Sequence, residues 1–118
     1  MNELARPMPR PTAQVAAYVD ALGAETAVTF LLTYGGADLY ISDDPKGQSS
    51  HERMIGYDKA KALAAVAHRL PKRVPLAKKW LAQMLDWQGL STAMIARTLR
   101  SSDVSVRKRL KPDEGKVG

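Results

Sequence analysis

The chain has 118 residues, of which 45% are hydrophobic and 25% are charged, and its formal net charge is +6. This length allows one domain or two very small ones, and the composition is that of a folded chain. The sequence contains no cysteine, which excludes disulfide bonds and thiolate metal sites. No apolar run approaches the ~20 residues that a membrane-spanning helix needs.

The charge is distributed unevenly along the chain. Residues 1–50 contain 3 Lys or Arg and 6 Asp or Glu, whereas residues 51–118 contain 15 and 6. A strongly basic half favours a polyanionic partner, most simply DNA, although a solvated basic surface would have the same composition. The charge therefore has to be judged together with the motifs of the same region.

The N-terminal part of the chain predicts an arm followed by two helices. Residues 1–11 contain three prolines and no apolar core, so we predict a flexible arm and no secretory signal. A helix is predicted to begin after Thr12, because Val15, Val19 and Leu22 recur at helical spacing. A second apolar helix follows Gly23 and ends at the glycine pair 35–36, since glycine takes the left-handed conformation without a Cβ penalty.

One short strand is predicted at residues 38–42, where Leu39 and Ile41 alternate with Tyr40. A single strand cannot satisfy its own backbone groups, and no other segment reads clearly as its partner. We therefore expect it to pair with its copy in a second subunit, which implies a homodimer with Leu39, Tyr40 and Ile41 in the interface. Residues 12–70 as a whole are predicted to be the dimerisation domain.

The remainder of that domain is predicted as a loop and a further helix. Residues 43–50 contain Pro, Gly, Asp and Ser and indicate a loop, and the apolar pattern of residues 60–70 indicates a helix that ends before Pro71. Residues 71–75 contain two prolines and two basic residues and are predicted to be a linker. Segments 22–27 (LGAETA) and 55–60 (IGYDKA) form a faint repeat, which two ordinary helix starts would also explain.

Residues 76–111 are predicted to be a three-helix domain. Its first helix carries Trp80 and Trp87 at i, i+7 on one apolar face, which favours core packing over base stacking. This helix is expected to end at Gly89, and residues 112–118 are predicted to be a flexible tail.

The last two helices of that domain have the spacing of a helix-turn-helix. In the first of them, residues 95, 96 and 99 give one apolar face, with the small Ala96 where the helices would cross. Arg100 and Ser101 turn the chain, and Ser102 can cap the next helix, in which Val106 and Leu110 recur at i and i+4. A helix-turn-helix in the basic half favours DNA over a merely solvated surface.

The order of these segments resembles the Mor transcription activator family of Mu-like phages. That family's pattern is an Ile/Leu-Gly-x-acidic-x-Ala helix start, a helix, Gly-Gly, a strand of Tyr-Ile type and a C-terminal helix-turn-helix. The matching segments here are 22–27 (LGAETA), 34–41 (YGGADLYI), 55–56 (IG) and 89–110, within residues 18–111. The chain departs from the pattern at Ser42, where the family often has proline, at residues 67–69, where it often repeats Gly-Gly, and at Arg100, where it usually has glycine.

The resemblance implies a mainly α fold with an N-terminal dimerisation region and a C-terminal helix-turn-helix. It also implies a homodimer that binds a palindromic or near-palindromic site on double-stranded DNA. Contact with host RNA polymerase is implied by the resemblance alone. The expected location is the bacterial cytoplasm, and the nucleoid when the protein is bound to DNA.

The predicted base contacts are Asp103 and Val104 at the start of the last helix and Lys108 about one turn beyond, because recognition helices present their first turn to base edges. Asp103 could accept from a cytosine amino group, Val104 could touch a thymine methyl, and Lys108 could reach guanine or phosphate. For Asp103, a carboxylate favoured by the helix dipole is at least as good an explanation.

Six residues are predicted to contact phosphates: Ser91, Thr92, Ser102, Ser105, Arg107 and Lys111. Arg107 and Lys111 share a face at i, i+4, whereas Arg109 points elsewhere. Ser91 would serve equally well as a helix N-cap. The cations around the linker, at positions 72, 73, 78 and 79, either extend the footprint or are only solvated.

No constellation of residues indicates catalysis. His51 and His68 lie 17 residues apart, the acidic residues are scattered, and no glycine-rich loop stands between a strand and a helix. We therefore expect no enzymatic activity, no metal, no cofactor and no membrane partner.

The predicted function is that of a sequence-specific DNA-binding transcription regulator of phage or prophage type, acting as an activator. A repressor or autoregulator could carry the same DNA-binding unit. A further alternative is a protein-interaction module, such as an anti-repressor or adaptor, that keeps the helix-turn-helix shape without specific DNA readout.

Overall fold

The computed structural model describes residues 7–111 and is mainly α-helical, as predicted. Residues 1–6 of the predicted arm lie outside the described residues, and so does the whole predicted tail, residues 112–118. Over residues 7–111 there are seven α-helices and one 3₁₀ turn at Ala67–Arg69. The helices are α1 (Ala13–Leu22), α2 (Ala24–Tyr34), α3 (Ser50–Ile55), α4 (Tyr57–Ala65), α5 (Lys78–Trp87), α6 (Thr92–Leu99) and α7 (Asp103–Leu110).

The described chain divides into two compact units. Residues 11–77 form one of them, with α1 to α4, and we call it the four-helix unit. Residues 7–10 and 78–111 form the other, with α5 to α7, and we call it the three-helix unit. These boundaries differ from the predicted domains 12–70 and 76–111, because residues 7–10 group with the C-terminal helices and the segment between residues 70 and 77 groups with the N-terminal ones.

Two glycines make the corners of the four-helix unit. Gly23 joins α1 to α2 with φ 83° and ψ 158°, and Gly56 joins α3 to α4 with φ 87° and ψ 165°. Each glycine N–H donates to the helix before it, and each glycine carbonyl accepts from the helix after it. The faint sequence repeat at 22–27 and 55–60 therefore corresponds to the same backbone corner used twice.

The same corner brings α1 and α2 into contact. The two helices are bent by 119° relative to each other. Only when the two are counted together are they long and apolar enough to match a membrane span. No single helix within residues 7–111 meets that condition. Leu22, Ala27 and Phe30 on the two helices are all buried in the core.

An aromatic cluster fills the centre of the four-helix unit. The Phe30 ring lies 5.6 Å from the Tyr18 ring and 5.2 Å from the Tyr34 ring, measured between centroids. His51 of α3 meets Phe30 edge-on at 6.3 Å and Tyr34 at 6.2 Å. His51 is only 6% exposed, and burial lowers its pKa from the usual 6.5, while the neighbouring Glu52 carboxylate opposes that shift.

Helix α3 was not predicted from the sequence, although its start carries a local signal. The Ser49 hydroxyl accepts from the Glu52 backbone N–H, as in the Ser-x-x-Glu capping box. The Glu52 carboxylate accepts from the Gly47 N–H at 3.0 Å and so closes the preceding loop onto the helix. The predicted loop at residues 43–50 is therefore correct only up to Ser49.

The predicted strand at residues 38–42 is not confirmed, because the structure assigns no strand anywhere in residues 7–111. The segment is irregular, and the backbone groups of residues 38–42 make no backbone–backbone hydrogen bond within the described range. The predicted alternation is nevertheless present, since Leu39 and Ile41 are half-buried and Tyr40 is 78% exposed. Pairing of this segment across a dimer stays a prediction.

The segment 71–75 is not a free linker, which corrects the prediction. Val74 is only 3% exposed. Its N–H donates to the Ala37 carbonyl at 2.9 Å, and its carbonyl accepts from the Gly36 N–H at 2.7 Å. The prolines indicated a connector, but the apolar side chain between them packs into the four-helix unit.

The three-helix unit is built around α5. Trp80, Leu81 and Met84 are almost completely buried, and they share a core with Ile95 of α6 and Val106 of α7. The predicted core role of Trp80 is thus confirmed. Its indole N–H donates to the Pro9 carbonyl at 3.3 Å, so this part of the predicted flexible arm is held against α5.

Candidate nucleic-acid interface

The net positive charge of the described chain lies entirely in the three-helix unit. That unit contains nine Lys or Arg and two Asp, a net charge of +7, whereas the four-helix unit contains seven of each sign and is neutral. The contrast has the same direction as the one between the two halves of the sequence. A polyanionic partner would therefore be attracted to the three-helix unit.

Helix α7 separates its core face from its charged face. Val106 is fully buried, and Leu110 is half-buried on the same side. The opposite side consists of exposed residues, which we call the outer face of α7: Asp103, Val104, Arg107, Lys108 and Lys111, the last just beyond the helix end. All three predicted base contacts and both predicted phosphate-binding cations are thus on one side of one helix.

The cations of this outer face have no partner among the residues that the structure describes. Arg107, Lys108 and Lys111 make no ion pair and no side-chain hydrogen bond with any residue in the range 7–111. The neighbouring Asp103 lies in the first turn of α7, where a carboxylate is stabilised by the helix dipole. Val104 is 61% exposed, which is unusual for a branched apolar side chain on a basic helix.

The hydroxyl groups of Ser91 and Ser102, which are predicted to contact phosphates, cap the N-termini of α6 and α7. The Ser91 hydroxyl accepts from the Met94 N–H at 3.2 Å, and the Ser102 hydroxyl accepts from the Ser105 N–H at 3.0 Å. The Ser102 hydroxyl also donates to the Ser105 hydroxyl at 3.1 Å. The N-cap roles of Ser91 and Ser102 are therefore confirmed, whereas Thr12, which precedes α1, makes no side-chain capping hydrogen bond. Thr92, the first residue of α6, is half-buried.

Arg109 points away from the outer face, as predicted. It is half-buried, and its Nη1 atom is buried without a hydrogen-bond acceptor among the described residues. Its position two residues after Arg107 places it on the opposite side of α7. Arg109 is therefore not grouped with the exposed cations.

The turn between α6 and α7 has a defined geometry. The Arg100 N–H donates to the Arg97 carbonyl at 3.3 Å, and the Ser101 N–H donates to the Ala96 carbonyl at 2.9 Å. This pair of bonds is the Schellman motif, and Arg100 holds its left-handed position with φ 55° and ψ 45°. The exposed cations Arg97 and Arg100 were not among the predicted contacts, although the α6 periodicity places Arg97 opposite Ile95.

The residues predicted to form the dimer interface lie in the four-helix unit. Leu39, Tyr40 and Ile41 line a groove of about 200 Å³ together with Tyr18, Leu70 and Val74. Arg73, considered as an extension of the footprint, forms an ion pair with Asp38 at 3.2 Å. In residues 7–111 no three His, Asp or Glu side chains are placed to hold a metal ion.

Comparisons of the chain with known protein families, with curated proteins and with solved structures gave no match. The candidate interface is therefore defined by its own charge, exposure and helix geometry.

Proposed function

We propose that the protein is a sequence-specific double-stranded DNA-binding regulator, with α6 and α7 acting as a helix-turn-helix and α7 as the recognition helix. The observation that carries the proposal is the net charge of +7 on the three-helix unit, whereas the four-helix unit is neutral. The outer face of α7 supplies exposed cations that have no ion-pair partner within residues 7–111. Such cations bind phosphates and release counterions, so affinity falls as salt rises.

Base readout is assigned to the first turn of α7. Asp103 and Val104 are exposed there, and Lys108 follows one turn later on the same side as Val104. Arg107 and Lys111 are assigned to phosphates. The serine hydroxyls at 91 and 102 have the more limited role of fixing the helix starts, since capping already engages them.

The proposal includes a homodimer formed through residues 38–42. A large aromatic side chain that is 78% exposed, Tyr40, stands between two half-buried apolar residues in a segment without internal ladder partners. A dimer would present two copies of α7 to the two halves of a palindromic site. The resemblance to the Mor family adds the expectation of activation through host RNA polymerase, and a repressor would use the same DNA-binding unit.

A protein-interaction module is the second candidate. It is favoured by two exposed apolar side chains on the same two helices, Val104 at 61% and Met94 at 45%. Apolar groups of this kind also suit a protein partner. This candidate implies DNA binding that is weak and indifferent to sequence.

The deciding experiment is selection of bound duplexes from a randomised pool, followed by a salt titration on the enriched sequence. A sequence-specific dimer should enrich a two-fold-symmetric site. The two cations of each outer face that are assigned to phosphates, Arg107 and Lys111, would neutralise about four phosphates per dimer, which gives a slope of log affinity against log salt of about −4. An unenriched pool with only weak, salt-sensitive binding would reject the proposal in favour of the interaction module.

The position of the enriched site then separates activator from repressor. A site upstream of the promoter elements favours activation, and a site that overlaps them favours repression.

A further inference from the structure

Arg100 occupies a backbone position that normally belongs to glycine. It is the left-handed residue of the Schellman motif that ends α6, with φ 55° and ψ 45°. A side chain at this position brings Cβ close to the following carbonyl oxygen, so glycine is strongly preferred. Arginine is thus the less stable choice for the fold.

The same unit contains a second example of the motif with the usual residue. At the end of α5 the Gly89 N–H donates to the Asp86 carbonyl at 3.0 Å, and the Leu90 N–H donates to the Leu85 carbonyl at 3.0 Å. Gly89 holds the left-handed position with φ 100°. The two helix ends differ in one respect, since the first has glycine and the second has an exposed cation.

The Arg100 side chain makes no polar contact in the part of the chain that the structure describes. It is exposed, and it makes no ion pair or side-chain hydrogen bond within the described residues. The turn is formed by backbone groups alone, which any residue would supply. No ion pair or side-chain hydrogen bond within residues 7–111 therefore offsets the strained backbone of Arg100, and strain of this kind clusters at functional sites.

We propose that Arg100 binds a DNA phosphate at the start of α7, as a contact additional to those of the outer face. This inference rests on the proposed function. Arg100 stands two residues before the N-cap Ser102, a separation of at most about 7 Å along the chain. Its guanidinium group can therefore reach a phosphate near the start of α7, and a planar guanidinium binds phosphate through two parallel hydrogen bonds.

The test combines thermal unfolding with salt titration of the full-length Arg100→Gly variant on the selected duplex. Glycine removes the strain and the charge together, so the melting temperature should stay constant or rise by a few degrees. The affinity should fall several-fold at low salt, and the salt slope should become shallower by about 0.9 for each phosphate that the variant no longer neutralises. Higher stability with weaker binding is a combination that a structural role for Arg100 does not give.

Lys46→Gly is the matched control, because Lys46 is an exposed loop residue of the neutral unit, with a 68% exposed side chain. It removes the same charge and should leave the salt slope unchanged. An Arg100→Gly variant with the affinity and slope of the wild type would overturn the inference, and so would one that loses stability and affinity together. Failure of the wild-type protein to bind any duplex would instead reject the proposed function.

Discussion

At the scale of single residues, the backbone at Gly23 and Gly56 is the most restrictive feature of the four-helix unit. Positive φ combined with ψ near 160° is a region that is open to glycine and strongly disfavoured for other residues. A Cβ added at either glycine would meet no atom within 4 Å. The restriction is therefore conformational, and it does not arise from lack of space.

We expect Gly23→Ala and Gly56→Ala each to reduce the free energy of unfolding by about 1–3 kcal/mol, the usual cost of a residue in this region. Urea unfolding followed by circular dichroism measures the loss. Ala24→Gly, at the first residue of α2, is the control, and it should change stability by no more than about 1 kcal/mol. A loss below about 0.5 kcal/mol in both alanine variants would mean that the corners relax easily into another conformation.

His51 should make the stability of the four-helix unit depend on pH. Burial lowers the pKa of His51 below 6.5 in the folded protein, so the unfolded chain takes up a proton first as the pH falls. Stability should therefore be constant above the unfolded pKa and decrease as the pH falls from about 6.5 towards the lower folded pKa. Melting temperatures between pH 8 and pH 5 measure this, with His51→Phe as the comparison.

The phenylalanine variant keeps an aromatic ring against Phe30 and Tyr34 but cannot titrate. It should lose part of the decrease between pH 7 and pH 5. Identical profiles for the variant and the wild type would show that His51 is not the titrating group.

At the scale of elements, the eight residues of α7 both contribute to the core of the three-helix unit and form its exposed basic side. One side carries Val106 into the core of the three-helix unit, and the other carries the exposed outer face. Its N-terminus is fixed by Ser102, so the rotation of the helix about its axis is set by the cap and by one buried valine. Substitutions on the outer face should therefore affect binding without affecting the fold.

We expect Arg107→Ala and Lys108→Ala each to weaken duplex binding and to leave the melting temperature nearly unchanged. Removal of a phosphate-binding cation should reduce affinity to a similar extent for all sequences and make the salt slope shallower by about 1, whereas removal of a base-reading group at Lys108 should also relax the sequence preference. Fluorescence anisotropy at several salt concentrations measures both effects. Lys61→Ala, an exposed lysine of the neutral unit, is the control. Unchanged binding in both variants would show that α7 is not the recognition helix.

At the scale of the whole molecule, the net charge and the proposed dimer segment are found in different units. The three-helix unit carries the net charge, and the neutral four-helix unit carries the segment proposed to join two subunits. Neutrality favours self-association, because two identical surfaces of high net charge would repel each other. Under the proposed function, DNA binding and dimerisation would belong to separate parts of the chain.

Tyr40→Glu should convert the proposed dimer into a monomer without unfolding it. Tyr40 is 78% exposed, whereas Leu39 and Ile41 are half-buried within the chain, so only Tyr40 can be changed without disturbing the monomer. Two glutamates brought together in a symmetric interface would repel each other. Sedimentation equilibrium at micromolar concentration should give a dimer for the wild type and a monomer for the variant. A monomeric wild type would contradict the proposed interface.

The sequence by itself determined the local part of this structure. Periodic apolar residues and caps identified α1, α2, α6 and α7, because these signals act between residues no more than a few positions apart. Ser49 and Glu52 offered the same kind of signal for α3, which the loop-like composition around it concealed. The exposed side of α7 was also accessible to sequence reasoning, because Val106 and Leu110 recur at i and i+4 and so indicate the side that faces the core.

Only the tertiary structure decided which segments belong together. Val74 is buried and forms backbone hydrogen bonds with residues 36 and 37, and the Trp80 indole N–H donates to the Pro9 carbonyl. Neither pairing leaves a local pattern in the sequence. The neutral charge of one unit and the net +7 of the other also follow from that grouping. The physical reason is that burial and hydrogen bonding between residues distant in the chain depend on the packing of whole elements, whereas caps and helical periodicity depend on neighbours along the backbone.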